Sequence, residues 1–138
     1  MRKRSLSRSY ALQVLYQVDI AGESPEAALE KFWAMDEYAP AADDVRQFTA
    51  ELVKGVVENR AKVDEYIARY ATNWELDRMA VVDRNILRIG AFELLMRSDI
   101  PPKVTINEAV DLAKKFSGAQ AGKFVNGILD KIKNDKAA

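Results

Sequence analysis

Apolar positions recur at helical spacing along almost the whole chain, and polar residues punctuate them where helices should begin and end. Ala11, Val14, Leu15 and Val18 follow i, i+3, i+4, i+7 spacing and predict a helix from about Ser9, closed by Gly22. Ser24-Pro25-Glu26 restarts one, with serine as N-cap, proline in the first turn and an acid beside it. Leu29, Phe32 and Trp33 supply its buried face, and residues 36–44, with Pro40, read as a loop. A long helix then starts near Asp43 and Asp44, carrying Phe48, Leu52, Val53, Val56 and Val57. A break near Asn59 or Arg60 leads to a helix with Val63, Ile67 and Tyr70 inward.

The stretch from Met79 to Arg97 differs from all of these. Val82, Ile86, Ile89 and Phe92 follow one face, while Leu87, Gly90, Ala91, Leu94 and Leu95 line a second. A helix apolar over most of its circumference is a central one, wrapped by others. Gly90 costs about 1 kcal/mol against alanine in a helix interior, and its expected return is close approach of a neighbouring helix. Glu93 and Arg97 are spaced as a favourable i, i+4 pair, whereas Arg84 and Arg88 share a face and need partners from elsewhere. Pro101-Pro102 stops this helix, and Thr105-Ile106-Asn107-Glu108 reads as a capping box for the next. That helix buries Ala109, Val110, Leu112, Ala113 and Phe116. Gly118 and Gly122 bracket a loop, and a last helix carries Phe124, Val125, Ile128, Leu129 and Ile132 before a polar tail. No stretch alternates as a strand does. The expectation is an all-α protein of about seven helices.

Composition narrows the chemistry. With 138 residues the chain suits a single domain, read as 1–138 with a basic arm at 1–8. It has no cysteine and no histidine, which removes disulfides, thiolate and imidazole metal sites, and Ser-His or Cys-His catalysis. No apolar run is long enough to span a membrane, and the basic N-terminus lacks the apolar segment of a signal peptide, so a cytoplasmic location is expected. The net charge of zero hides an uneven distribution. Residues 1–18 hold Arg2, Lys3, Arg4 and Arg8 without an acid, residues 19–102 hold 10 basic and 17 acidic residues, and residues 103–138 hold 7 basic and 4 acidic ones. Both ends are positive around an acidic middle.

Few residues remain that could carry a reaction. Gly118-Ala-Gln-Ala-Gly122-Lys123 lacks the spacing of a phosphate loop and follows no strand. Asp83 and Glu93 lie about three turns apart on one helix, so they are no acid-base pair. No enzyme, cofactor or metal site is expected. The basic arm is more informative: its interleaved serines can donate to phosphates beside Arg and Lys, although a solvated, frayed end has the same composition. Tyr10 and Tyr16 could stack a base or be partly buried, and Lys123-Phe124 sets a cation beside an aromatic at the start of the last helix.

Four segments together resemble the NusB family of transcription antitermination factors: residues 11–19 (ALQVLYQVD), 82–88 (VDRNILR), 104–110 (VTINEAV) and 123–130 (KFVNGILD). The resemblance implies two packed three-helix bundles plus an additional helix. It implies binding of single-stranded boxA RNA together with NusE, a small-subunit ribosomal protein, and support of the RNA polymerase antitermination complex in rRNA transcription and maturation. The family's arginine-rich arm falls on Arg4 and Arg8, with Ser5 standing where the family often has a second arginine and Arg2 and Lys3 as substitutes. Its RNA surface continues onto Gln120, Lys123 and Phe124; some relatives have an acid at the Gln120 position. Its NusE-facing surface falls on Tyr16 and Asp83. Two alternatives stand beside this reading. One is a NusB-like RNA-binding domain of the kind found in RNA cytosine methyltransferases, although no catalytic domain is expected here. The other is a helical protein-protein scaffold with a solubilising basic tail.

Overall fold

The computed structural model describes residues 2–137, with side chains described from Arg2 to Asp135; Met1 of the expected arm and Ala138 of the expected domain lie outside the described residues. Among the described residues there are seven α-helices, one 3-10 turn and no strand, so the all-α expectation holds. None of the helices is long and apolar enough to cross a membrane. The chain divides after Glu58 into two compact units.

The first unit contains α1 (Lys3–Ala21), α2 (Pro25–Ala34) and α3 (Asp43–Glu58), each packed on the other two. Leu12, Val14 and Leu15 of α1, Phe32 of α2, and Leu52, Val53 and Val56 of α3 are all buried. The helix ends follow the sequence closely. Gly22 takes the left-handed conformation (φ 69°) that closes α1, and Ser24 accepts a hydrogen bond from the Ala27 N–H at 3.1 Å. The start of α1 does not follow it. The helix begins at Lys3 rather than near Ser9, so the segment read as an arm is its first two turns. Ser7, Arg8 and Ser9 are buried there, and the Ser7 hydroxyl donates to the Val45 carbonyl of α3 at 2.9 Å. Polar residues form this part of the helix contact, and a search for apolar periodicity passes over it.

The second unit contains α4 (Arg60–Tyr70), a 3-10 turn (Leu76–Arg78), α5 (Val81–Met96), α6 (Pro102–Phe116) and α7 (Ala119–Ala137). Helix α5 packs against α4, α6 and α7, and every residue from Asn85 to Leu94 is buried. The expected close approach occurs at Gly90: a Cβ there would lie 2.6 Å from Leu129 Cδ1 of α7. The polar groups of α5 find partners. Arg88 donates Nε and Nη2 to the two carboxylate oxygens of Asp64 at 2.9 and 3.2 Å, and Arg84 donates to the Leu76 carbonyl at 3.3 Å. Glu93 accepts from the Thr105 hydroxyl at 2.8 Å, and Arg97 forks onto Asp99.

Two expected boundaries move, each for a physical reason. Thr105 does not cap α6, which begins at Pro102, the proline occupying a first-turn position where a missing N–H costs nothing. The hydroxyl that the capping box would have used instead satisfies the buried Glu93 carboxylate. The loop before the last helix is also shorter than expected: Gly122 lies inside α7, and Lys123 and Phe124 belong to its second turn. The polar tail continues as helix, held where Tyr70 Oη and Arg69 Nη1 of α4 each donate to Asp135 Oδ2 at 2.7 Å.

Substituting Gly90 by valine will therefore destabilise the protein by about 1–3 kcal/mol in urea titration, the overpacking against Leu129 exceeding the gain in helix propensity. Gly127→Ala, where a Cβ meets nothing within 4 Å, will stabilise it by up to about 1 kcal/mol. The hydrogen bond from Tyr70, and after it the one from Arg69, hold the Asp135 carboxyl below its ordinary range. A carboxyl depressed in the folded state stabilises above its unfolded pKa, and that contribution is lost as pH falls through the lower folded value. Hydrogen exchange will report the end of α7 loosening on acidification below about pH 4, and Asp135→Asn will remove most of that acid dependence.

Candidate nucleic-acid interface

Four of the candidate RNA contacts lie at the start of α1, Arg2 at its N-cap and Lys3, Arg4 and Arg8 in its first two turns. Arg2, Lys3 and Arg4 are exposed, and no acid precedes Asp19. Their surroundings differ. Lys3 Nζ lies 2.9 Å from Asp44 Oδ2 at the start of α3, and this hydrogen bond holds the Asp44 carboxyl below its ordinary range. The pair is exposed at both ends and contributes little to stability. The Arg4 guanidinium rests over the Phe48 ring at 4.5 Å from its centroid, and the Arg8 guanidinium lies 5.5 Å from the same centroid. Arg4 keeps its exposure, whereas Arg8 is only 2% exposed. One ring of α3 thus carries two cations one helical turn apart, and only the outer one faces water.

The two tyrosines of α1 also separate. Tyr10 sits in an aromatic cluster, its centroid 5.3 Å from Phe32, 5.8 Å from Trp33 and 5.2 Å from Tyr38. That ring is a packing element between α1 and α2. Tyr16 is 42% exposed, with Ile20 exposed one turn further on. The two form an apolar step on the outside of α1.

The remaining candidates lie in the second unit. Gln120 is exposed in the first turn of α7, Lys123 is exposed in the second, and Phe124 is half-buried. Gln120, Phe124 and Asp83 line one cleft of about 510 Å³. Its other walls include Trp74 and Arg78 from the segment between α4 and α5, and Ser117 from the α6–α7 turn. Lys123 is not among the lining residues. The Asp83 carboxylate is half-buried in the first turn of α5, and its Oδ1 is buried without a hydrogen-bond partner. Trp74 escapes a reading of the sequence because it belongs to no periodic stripe. Its signal is a tryptophan outside any helix, 54% exposed where most large aromatics are covered. Among the described residues no group of three acids, cysteines or histidines is placed to hold a metal ion.

A sequence profile of the NusB family matches residues 5–134. The transcription antitermination protein NusB of Anaeromyxobacter dehalogenans is 49% identical over 130 residues, spanning 94% of this chain and 89% of that one. The solved structure of T. maritima NusB superposes with a TM-score of 0.85 at 37% identity, covering 98% of this chain and 92% of the other. A structure described as the antitermination factors NusB and NusE in complex with double-stranded RNA gives a TM-score of 0.87 at 32% identity over 98% of both chains. Sequence profile, relatives and fold agree over nearly the full length of the described residues, and this chain belongs to the NusB family.

Proposed function

We propose that this chain is a non-catalytic RNA-binding adaptor of transcription antitermination. It binds the single-stranded boxA element of rRNA operon leaders together with NusE, and so supports the RNA polymerase antitermination complex and rRNA maturation in the cytoplasm. The observation that carries the reading is the start of α1. There Arg2, Lys3 and Arg4 stand exposed on a stretch with no acid of its own before Asp19, Lys3 reaching across to Asp44 and Arg4 held in place over Phe48. Kinship with a NusB solved beside NusE and double-stranded RNA supports its RNA and NusE parts.

Each proposed contact has a physical role. Arg2 and Arg4 neutralise phosphates, with Arg4 paying little rotamer entropy because the Phe48 ring already fixes its guanidinium. Lys3 reaches a phosphate on release from Asp44, an exposed pair that yields easily. Arg8 holds the helix on α3 beneath the RNA surface rather than at it. On α7, Lys123 supplies a further cation, and Gln120 and Phe124 present an amide and a ring to unpaired bases. Tyr16 with the adjoining Ile20 supplies apolar area for NusE, and Asp83 supplies a carboxylate suited to a cation of that partner.

With Arg2, Arg4 and Lys123 as the readily available cations, affinity for a short single strand will fall with salt at a log-log slope of about −2, since each phosphate contact contributes about −0.7. Fluorescence anisotropy of a boxA RNA, a scrambled strand and a duplex, with and without NusE, tests the reading. Tighter binding to boxA that sharpens with NusE supports it; equal weak binding to all three, unmoved by NusE, overturns it in favour of a helical scaffold. Arg4→Ala will weaken RNA binding several-fold at unchanged melting temperature. Arg8→Ala will instead destabilise the fold by about 2 kcal/mol, the size of a desolvated cation–π contact, in thermal or urea unfolding.

A further inference from the structure

The cleft of the second unit holds more recognition chemistry than the RNA surface proposed above uses. Its volume of about 510 Å³ falls within the range of roughly 300–1,000 Å³ of sites for small organic groups. Trp74 stands at its edge with 54% of its surface in water. Its ring meets Phe124 edge to face, with centroids 6.4 Å apart and planes at 77°. Such a corner leaves aromatic surface that the pair itself does not cover. Gln120 offers both a donor and an acceptor from the same cleft. Arg78 brings a cation whose side chain is 79% exposed and whose ion pair with Glu75 is long, at 3.8 Å.

We propose that Trp74 is a stacking platform for one unpaired nucleobase of the bound RNA, with Phe124 as the second wall, Gln120 on the base edge and Arg78 on the adjoining phosphate. The inference rests on the RNA-binding reading and adds to it a residue and a mode of contact. Trp74, Phe124 and Arg78 together suit a nucleotide, which brings a flat neutral base for the aromatic corner and an anion for the cation, and leaves the Asp83 carboxylate to the protein partner. The Asp83 carboxylate repels phosphate from its own wall, so the nucleotide's anion turns towards Arg78.

The test uses the full chain, a short single-stranded boxA RNA, and NusE. In a Trp33→Phe background Trp74 is the sole tryptophan, and stacking of a base will quench its emission as RNA is added. Trp74→Ala will weaken RNA binding by about 5- to 150-fold, the range expected for one stacked base, with affinity for NusE unchanged. Trp74→Phe will keep most of the binding, and melting curves of both variants separate loss of the platform from loss of fold. RNA affinity within two-fold of the parent for a folded Trp74→Ala, or a loss confined to NusE, overturns the proposal, the latter assigning the cleft to the protein partner. If Arg4→Ala weakens binding and Trp74→Ala does not, the adaptor reading stands and the stacking platform falls. If the parent chain binds no RNA, both fall.

Discussion

A helix buried on all sides must satisfy its own polar groups, and α5 imposes this condition on everything around it. Ten consecutive residues from Asn85 to Leu94 are buried, and three of them are polar or charged. The Asn85 amide donates to the Val81 carbonyl at 2.9 Å. Arg88 is met by Asp64 from α4, and Glu93 by Thr105 from α6. Removing one member of such a pair leaves the other as an uncompensated buried group, a larger cost than the pair is worth in stability. These pairs therefore fix which face of α4 and which turn of α6 can lie against α5. The apolar surface drives the burial, and the polar groups select the register.

The sequence disclosed the helices where apolar periodicity and cap chemistry agreed. Gly22, Ser24-Pro25 and the fully apolar α5 behave as their residue types dictate. It concealed the places where polar residues pack. Ser7, Arg8 and Ser9 resemble a solvated terminus because their type normally faces water, yet the contact with α3 covers them. Thr105 fits a capping box three residues before Glu108, but capping depends on a free hydroxyl, and only the folded structure reveals that Glu93 takes it. The candidate site divides in the same way. Residue types pointed to cations and aromatics for RNA; they could not separate Arg4 from Arg8, which share a ring but differ in exposure. Nor could they place Trp74 beside Phe124, because the two are fifty residues apart and meet only in the packed second unit.

The distribution of charge acquires meaning from these placements. A net charge of zero suits a protein that must not bind nucleic acid everywhere. Positive groups are concentrated at the start of α1, where one is paired with Asp44 and one is buried. The long-range attraction for RNA is thereby kept modest. In the proposed reading, recognition then depends on short-range contacts, stacking and hydrogen bonds to bases, which discriminate between sequences where phosphate contacts do not. An adaptor that works with a protein partner gains from this balance, because the partner can decide whether weak contacts add up to occupancy.

The approach of α7 to Gly90 also constrains how the sequence can drift. The space a side chain would need at position 90 is filled by the end of Leu129, so the two positions share a single volume. A larger residue at position 90 costs least beside a smaller one at position 129, and the two substitutions are non-additive in stability. Drift at one position therefore changes which residues the other accepts.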